Sequence, residues 1–142
     1  MRTPRQPAAD GWAAGWSRNT GKIIILHWDG TSWTQVPGPA PDNGVLFGVS
    51  ADSATDAWAV GWARDLDKFQ TYHSLTMHWD GTSWSLVPNP DPFGGDGGTS
   101  QLFAVSAVSP TDAWAVGTCT CLGTDTNQTL IMHWDGTAWS QV

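Results

Sequence analysis

The chain of 142 residues contains no glutamate and only two lysines. Glutamate and lysine usually cover the exposed faces of helices, so their scarcity argues against a helical fold. Clusters of glycine, proline, aspartate and asparagine instead divide the chain into short segments, as an all-β fold requires. We therefore predict an all-β protein.

Basic residues are few as well. Six lysines and arginines oppose thirteen aspartates, the net charge is −7, and no basic residue follows Lys68. Binding to nucleic acid or to an anionic membrane depends on clustered basic residues, so we expect neither partner. No apolar run approaches the roughly 20 residues of a membrane span. We also expect no signal peptide in this chain, because no apolar core follows the basic residues near Met1.

Cysteine is limited to Cys119 and Cys121. Residues two apart in a strand lie on one side at about 6–7 Å, near the upper limit for a disulfide. Two thiols in a loop, a strained disulfide and part of a metal site are the three alternatives. No nearby residues complete a metal site. We therefore expect no metal and no cofactor, and the cysteines do not identify the compartment.

The chain is rich in tryptophan, with eleven residues, and most of them belong to a repeat. Trp28, Trp79 and Trp134 are separated by 51 and 55 residues. A period near 50 residues is typical of β-propeller blades. The recurring motifs are LFxVSA at 46–51 and 102–107, DAWAVG at 56–61 and 112–117, and HWDGTxW at 27–33, 78–84 and 133–139.

Each unit contains four strand-like segments, which we call A to D. Segment A is Leu-Phe-x-Val-Ser-Ala, segment B is Ala-Trp-Ala-Val-Gly, segment C ends in His-Trp, and segment D contains Thr-x-Trp. Segment A of the first unit is absent, so we predict eleven strands, about 2.75 four-stranded antiparallel blades. The predicted organisation is a tail at 1–9, a partial blade (B–C–D) at 10–37, and complete blades at 45–88 and 101–142.

Asp-Gly joins segments C and D in every unit. This dipeptide is the strongest short hairpin signal, because a type I′ turn needs positive φ at both central residues. We therefore predict a two-residue turn that places Trp28 opposite Thr31 and Leu26 opposite Trp33. In this register the two tryptophans share one face with Leu26, and His27 lies on the other face.

Large apolar side chains on both faces of each sheet require that the sheets stack. Each tryptophan offers roughly 150–250 Å² for burial. Radial stacking buries these rings, and the open faces of the outer blades form a surface for other blades or for copies of the same chain. We expect residues that recur in every blade to build this scaffold: Trp28, Trp33, Trp58, Trp79, Trp84, Trp114, Trp134, Trp139, His27, His78, His133, Asp56 and Asp112.

Two kinds of polar residue in this set have expected structural roles. We expect the repeated histidines to bond a neighbouring loop, because a residue found in every blade does not define a single catalytic or metal site. We expect Asp56 and Asp112 to hold the A–B turn through hydrogen bonds to its backbone.

Variation between the copies is confined to the B–C and D–A connections. Because strand direction alternates, all of these connections emerge at one face of the ring. Variable loops on a rigid scaffold are where binding sites are usually built, and aromatic rings beside polar groups suit a sugar or a peptide. Asp91 and Asp96 lack the spacing of a recognised calcium loop, so we expect no metal there. We predict ligand contacts at Trp62, Arg64, Asp65, Tyr72, Asp91, Phe93 and Asp96.

The motifs DAWAVG, HWDGTSW and Val-Pro at this period resemble the Trp-rich, kelch-like or galactose-oxidase-central-domain-like propeller repeats of bacterial proteins. The resemblance covers about residues 10–142. It implies an extracellular or cell-surface propeller that binds partners or glycans. The copper ligands of galactose oxidase have no counterpart here, and the stretch from Asp29 to Trp33 is one residue shorter than the sialidase-type Asp-box.

Three functions are open at this point. The leading hypothesis is a non-catalytic binding or scaffold module that presents its variable face to a glycan or a protein. The second is a piece of a propeller enzyme, a hydrolase or an oxidase, whose active site needs further blades. The third is a self-assembling propeller unit. The sequence contains no unique catalytic grouping, so we expect binding and not catalysis.

Overall fold

The computed structural model describes residues 10–39, 41, 43–64, 71–91, 98–120 and 126–142. These residues form eleven β-strands in three antiparallel sheets, which we call the first, second and third blades. No helix occurs among them, and thus none that could cross a membrane. The all-β prediction is confirmed.

The blades follow one another along the chain. The strands of the first blade are β1 (Gly11–Trp16), β2 (Ile23–Trp28) and β3 (Trp33–Gln35). Those of the second blade are β4 (Gly44–Ser53), β5 (Asp56–Arg64), β6 (Tyr72–Trp79) and β7 (Trp84–Leu86). Those of the third blade are β8 (Thr99–Ser109), β9 (Asp112–Thr120), β10 (Asn127–Trp134) and β11 (Trp139–Gln141). In every blade, strands consecutive in sequence are neighbours in the sheet.

The first strand of a four-stranded blade passes closely over a glycine of its neighbour. The ladder between β4 and β5 shifts by one residue near Gly48, which bends β4 over Gly61. A Cβ at Gly61 would lie 1.8 Å from the carbonyl oxygen of Val45, so only glycine fits. Gly117 meets the carbonyl oxygen of Gln101 in the same way in the third blade.

The hairpin between segments C and D differs from the prediction. Trp28 pairs with Trp33 and not with Thr31, and Leu26 pairs with Gln35. The connection therefore has four residues, and the predicted two-residue turn is wrong. The register differs by two residues, so each side chain keeps its predicted face.

An aspartate side chain closes this wider turn. Oδ1 of Asp29 accepts hydrogen bonds of 2.8 Å from the backbone N–H groups of Thr31 and Ser32. Asp80 and Asp135 close the other two turns in the same way. Only the glycine of each turn has positive φ, 95° at Gly30, whereas a type I′ turn needs positive φ at the aspartate as well.

Tryptophans join consecutive blades. Trp58 of β5 is fully buried between Trp134 and Trp139 of the third blade, with ring centroids 4.8 and 4.9 Å away. β8 lies across β5 and β6, and β4 lies across β1. The first and second blades meet in the same way, at 5.0 and 5.1 Å, through Trp12, Trp79 and Trp84.

Candidate functional site

The ends of the strands define two faces of the stack. The front face carries the connections β1–β2, β3–β4, β5–β6, β7–β8 and β9–β10, and the back face carries the remaining turns. The sequence varies between blades at the front face and repeats at the back face.

Each blade has one Asp–His hydrogen bond at its back face. Nε2 of His78 donates to Oδ1 of Asp56 at 2.6 Å, and His133 bonds to Asp112 at 2.8 Å. In each blade the imidazole also packs on the tryptophan of segment B, with ring centroids 4.3 to 4.6 Å apart. The corresponding pair in the first blade is His27 and Asp10.

These contacts differ in detail from the expected roles. His78 and His133 bond the first residue of the neighbouring strand in their own blade, and Asp56 and Asp112 accept those bonds. Within the A–B turns, the hydroxyl groups of Ser53 and Ser109 accept the backbone N–H groups of Thr55 and Thr111. A serine side chain does this locally, which leaves the aspartate to link two strands.

The C–D turns also lie at the back face. The backbone N–H groups of Ser32 and Thr31 hold the pKa of Asp29 below its ordinary value, because they stabilise the carboxylate. The same donors in the later turns lower the pKa of Asp80 and Asp135. These polar contacts recur from blade to blade, so within the described part of the chain they mark no unique site.

The front face has a cleft of about 220 Å³ between the first and second blades. We call it the aromatic cleft. Two tryptophans and two arginines contribute to its lining, together with an asparagine, and no carboxylate does so among the described residues. These residues are Trp16, Arg18, Asn43, Trp62 and Arg64.

Two connections hold the rim of the aromatic cleft. In the β1–β2 turn, Ser17 N donates to Lys22 O and Gly21 N donates to Ser17 O, both at 2.8 Å. Gly21 and Asn43 both have positive φ, 65° and 61°, a conformation that glycine and asparagine tolerate best. The backbone N–H of Arg64 donates to Asn43 O at 3.3 Å, which fixes the second connection to β5.

The two tryptophans of the cleft occupy the same position of the repeat. Trp16 ends β1 and is 42% exposed, while Trp62 lies near the end of β5 and packs edge-on against Tyr72 at 4.5 Å. The third blade has Thr118 at this position. Alignment of the repeats would have identified Trp16, which our sequence analysis missed. Arg18, also missed, has the repeat position of Arg64, so the same alignment would have identified it. Asn43, the third residue missed, lies in a connection that differs between the copies.

The predicted ligand contacts therefore separate into groups. Trp62 and Arg64 line the aromatic cleft, and Tyr72 supports the first of them. Asp91 lies elsewhere, beside a second cleft of about 300 Å³ along β6 and β7. The remaining three, Asp65, Phe93 and Asp96, lie outside the described residues.

The carboxylate of Asp91 is bonded within the protein. Its Oδ2 lies 2.5 Å from Nδ1 of His73, and its Oδ1 accepts the hydroxyl of Ser100. Ser100 Oγ also accepts the backbone N–H of Ser74 at 3.1 Å. In a nucleophilic triad the histidine lies between the serine and the carboxylate, whereas here the carboxylate lies between the other two. The arrangement links β6 to β8 and does not activate the serine.

Metal-ligating side chains are not gathered in the part of the chain that the structure describes: no group of three or more His, Cys, Asp or Glu residues could hold an ion there. Cys119 is buried in β9. Cys121 lies outside the described residues, so the three alternatives for the pair stay predictions.

Comparison with known proteins supports the fold. No family model matches the chain, and no curated protein matches it. A solved structure of a fucose lectin from Kordia zhangzhouensis, in complex with methyl-fucoside, is similar with a TM-score of 0.54 and 14% identity, over 96% of this chain and 93% of that chain. YCF48 bound to D1 peptide has a TM-score of 0.48 and 14% identity, over 94% of this chain and 49% of that chain.

Likeness at this identity concerns the fold alone. The predicted β-propeller architecture is confirmed by the three stacked antiparallel sheets and by the lectin structure. The narrower resemblance to kelch-like or galactose-oxidase-like repeats stays a prediction.

Proposed function

We propose that this protein is a non-catalytic carbohydrate-binding module and that the aromatic cleft is its binding site. The observation that carries the proposal is the meeting of Trp16 and Trp62 with two arginines in one open cleft of the variable face. A glycan is favoured over a protein ligand because the cleft is small, about 220 Å³, which suits one or two sugar rings.

The side chains of the cleft suit the chemistry of a sugar. The C–H face of a pyranose ring is apolar and packs on an indole, while its hydroxyl groups need donors and acceptors at the edge of the ring. Arg18 supplies a planar array of donors, and the amide of Asn43 supplies both a donor and an acceptor. Trp62 is held by Tyr72, so little side-chain entropy is lost when a ligand binds.

The charge of the cleft narrows the ligand class. Only six basic residues occur in a chain with a net charge of −7, and two of them line this cleft. A guanidinium group binds a carboxylate or a sulfate through two parallel hydrogen bonds. Arg18 is exposed at this cleft, and because of it we favour a saccharide that carries an acidic group over a neutral one.

Two further observations support binding without catalysis. The lectin structure with the similar fold is itself a sugar-binding protein. The Ser100, Asp91 and His73 side chains have an order that does not suit nucleophilic catalysis. The alternative of an enzyme whose active site needs further blades stays a prediction.

The test is a glycan-array screen of the purified chain, followed by calorimetric titration with the best ligand. Trp62→Ala is expected to weaken binding at least tenfold, about the effect of losing one well-packed aromatic contact. Trp62→Phe should retain part of the affinity because it keeps an aromatic face. The matched control is Thr118→Ala, at the same repeat position in the third blade, and it should bind as the unmodified chain does.

Two results would contradict the proposal. One is a glycan that binds Trp62→Ala and Arg18→Ala as tightly as it binds the unmodified chain, which would locate its site elsewhere. The other is recovery of a cleaved or oxidised saccharide after incubation, which would favour the enzyme hypothesis.

A further inference from the structure

The contact between blades is built twice inside the chain from the same parts. A tryptophan of segment B, which we call the donor, inserts between two tryptophans of the next blade, which we call the acceptor pair. Where the second and third blades meet, the donor Trp58 is 0% exposed and Trp139 of the acceptor pair is 5% exposed. Their rings are nearly perpendicular, at 83°. The donor and the acceptor pair are thus the two halves of one repeated interface.

The third blade has a donor that meets no acceptor pair among the described residues. Trp114 has the repeat position of Trp58 but is 39% exposed. Val116, the counterpart of the fully buried Val60, is 43% exposed. His133 packs on Trp114 at 4.3 Å, so the ring has the same support as the buried donor. The ring of Trp114 is thus exposed and supported as an acceptor pair would require.

The first blade has an acceptor pair that meets no donor in the described part of the chain. The rings of Trp28 and Trp33 lie 5.6 Å apart, close to the 6.0 and 5.9 Å of the two filled pairs. Trp33 is 51% exposed, whereas its counterparts Trp84 and Trp139 are 4% and 5% exposed. The pair has therefore taken up its geometry without the ring that would cover it.

An apolar groove continues this acceptor face. Ala13, Ile24 and Leu26 contribute to a cleft of about 190 Å³ beside β1 and β2. In the second blade the positions that correspond to Ile24 and Leu26 are buried against the first blade. The acceptor face of the first blade therefore offers an apolar surface beyond the two rings.

We infer that the acceptor pair Trp28 and Trp33 binds Trp114 of a second copy of this chain, so that copies associate head to tail. The second copy is the occupant because the donor and acceptor faces repeat the residue types, the spacing and the ring geometry of the two interfaces inside the chain. A contact between two different faces of one molecule is heterologous, and it closes into a ring when its rotation allows. Successive blades of a propeller are related by a rotation of this kind. Trp16 lines both the aromatic cleft and the apolar groove, but Trp28, Trp33 and Trp114 do not line the cleft, so the inference does not depend on saccharide binding.

The test is sedimentation velocity of the 142-residue chain over a concentration series, together with three variants. The unmodified chain is expected to form a discrete oligomer. Trp114→Ala and Trp33→Ala should each weaken association about 30-fold, the effect of removing a tryptophan from the centre of an interface. Both side chains are exposed in a single copy, so circular dichroism should show that both variants fold. The matched control is Leu86→Ala, a 48% exposed apolar residue on the outer strand of the second blade, which should associate normally.

Mixing the two variants provides the sharper measurement. Each variant retains one intact half, so the mixture can form one native interface and should give a heterodimer that grows no further. The inference is overturned if the unmodified chain stays monomeric, or if Leu86→Ala weakens association as strongly as the two tryptophan variants. It is also overturned if only one of the two tryptophan variants has an effect, because a head-to-tail contact needs both.

Discussion

The second blade and the outer blades contain the same repeat in different surroundings. Asp56 of the second blade has a side chain 7% exposed, whereas its counterpart Asp112 in the third blade is 41% exposed. Gly61 has the backbone of β4 directly above it, whereas a Cβ at Gly15, at the same repeat position in the first blade, would meet nothing within 4 Å. The residue types are the same, and their burial depends on which strands pack against them.

This difference predicts that one substitution has different effects at equivalent positions. A blade gains most of its stability from the blades on either side, because both faces of its sheet carry apolar side chains that these neighbours bury. The second blade is covered on both faces by described strands, and the first and third blades on one face only. Two predictions test this comparison, and a third concerns turns that are exposed in every blade.

The largest difference is expected at the repeated glycine. Gly61→Ala would place a Cβ 1.8 Å from Val45 O, so β4 must shift and the free energy of unfolding should fall by at least about 3 kcal/mol. Gly15→Ala meets open space, and the lower entropy of its unfolded state should leave stability unchanged or raise it by up to about 1 kcal/mol. Urea denaturation followed by tryptophan fluorescence measures both values.

A large loss of stability in Gly15→Ala would contradict this prediction. It would mean that a strand lies on β1 in solution as β4 lies on β5. Gly117→Ala is the positive control, because its Cβ would lie 1.8 Å from Gln101 O.

A smaller difference is expected at the Asp–His bonds of the back face. His78→Ala would leave the buried carboxylate of Asp56 without its donor and should cost about 2–3 kcal/mol. His133→Ala leaves the carboxylate of Asp112 in contact with water and should cost no more than about 1 kcal/mol. Equal losses in the two variants, measured by urea denaturation, would show that burial by the neighbouring blade does not set the cost.

The smallest effect is expected at the exposed C–D turns. Because backbone donors lower the folded-state pKa of Asp29, Asp80 and Asp135, these carboxylates stabilise the folded protein above the unfolded-state pKa of about 3.9. That contribution is lost as the pH falls through the lowered folded-state values. The triple Asp→Asn variant should therefore be slightly less stable at pH 7, and this difference, measured by urea midpoints, should shrink as the pH falls below about 3.9. An unchanged difference between the two proteins across this range would refute the prediction.

Much of the fold was predictable because the repeat supplies its own alignment. Three copies of a motif place Asp56 at the start of a strand and Trp58 on a face of that strand that must be buried. The hairpin register was not predictable from Asp-Gly alone. The choice between a two-residue and a four-residue turn depends on whether Asp29 Oδ1 bonds Thr31 and Ser32, and both turns satisfy the same pattern of apolar residues.

The candidate site was predicted only in part. Trp62 and Arg64 were selected from a segment that varies between the copies, although both lie in β5. Trp16 has the repeat position of Trp62 and was not selected, and neither was Asn43, which lies 19 residues before Trp62. Asp91 was selected by residue type, but the structure bonds its carboxylate to His73 and Ser100. Residue type alone does not show which carboxylates are satisfied within the protein.

The sequence by itself determined the strands, their order and the residues that every blade shares, because these depend on local patterning and on a period that recurs along the chain. The tertiary structure alone decided which copy of each shared residue is covered and which side chains meet in the aromatic cleft. Those outcomes depend on contacts between blades, and such contacts join residues that are distant in the chain.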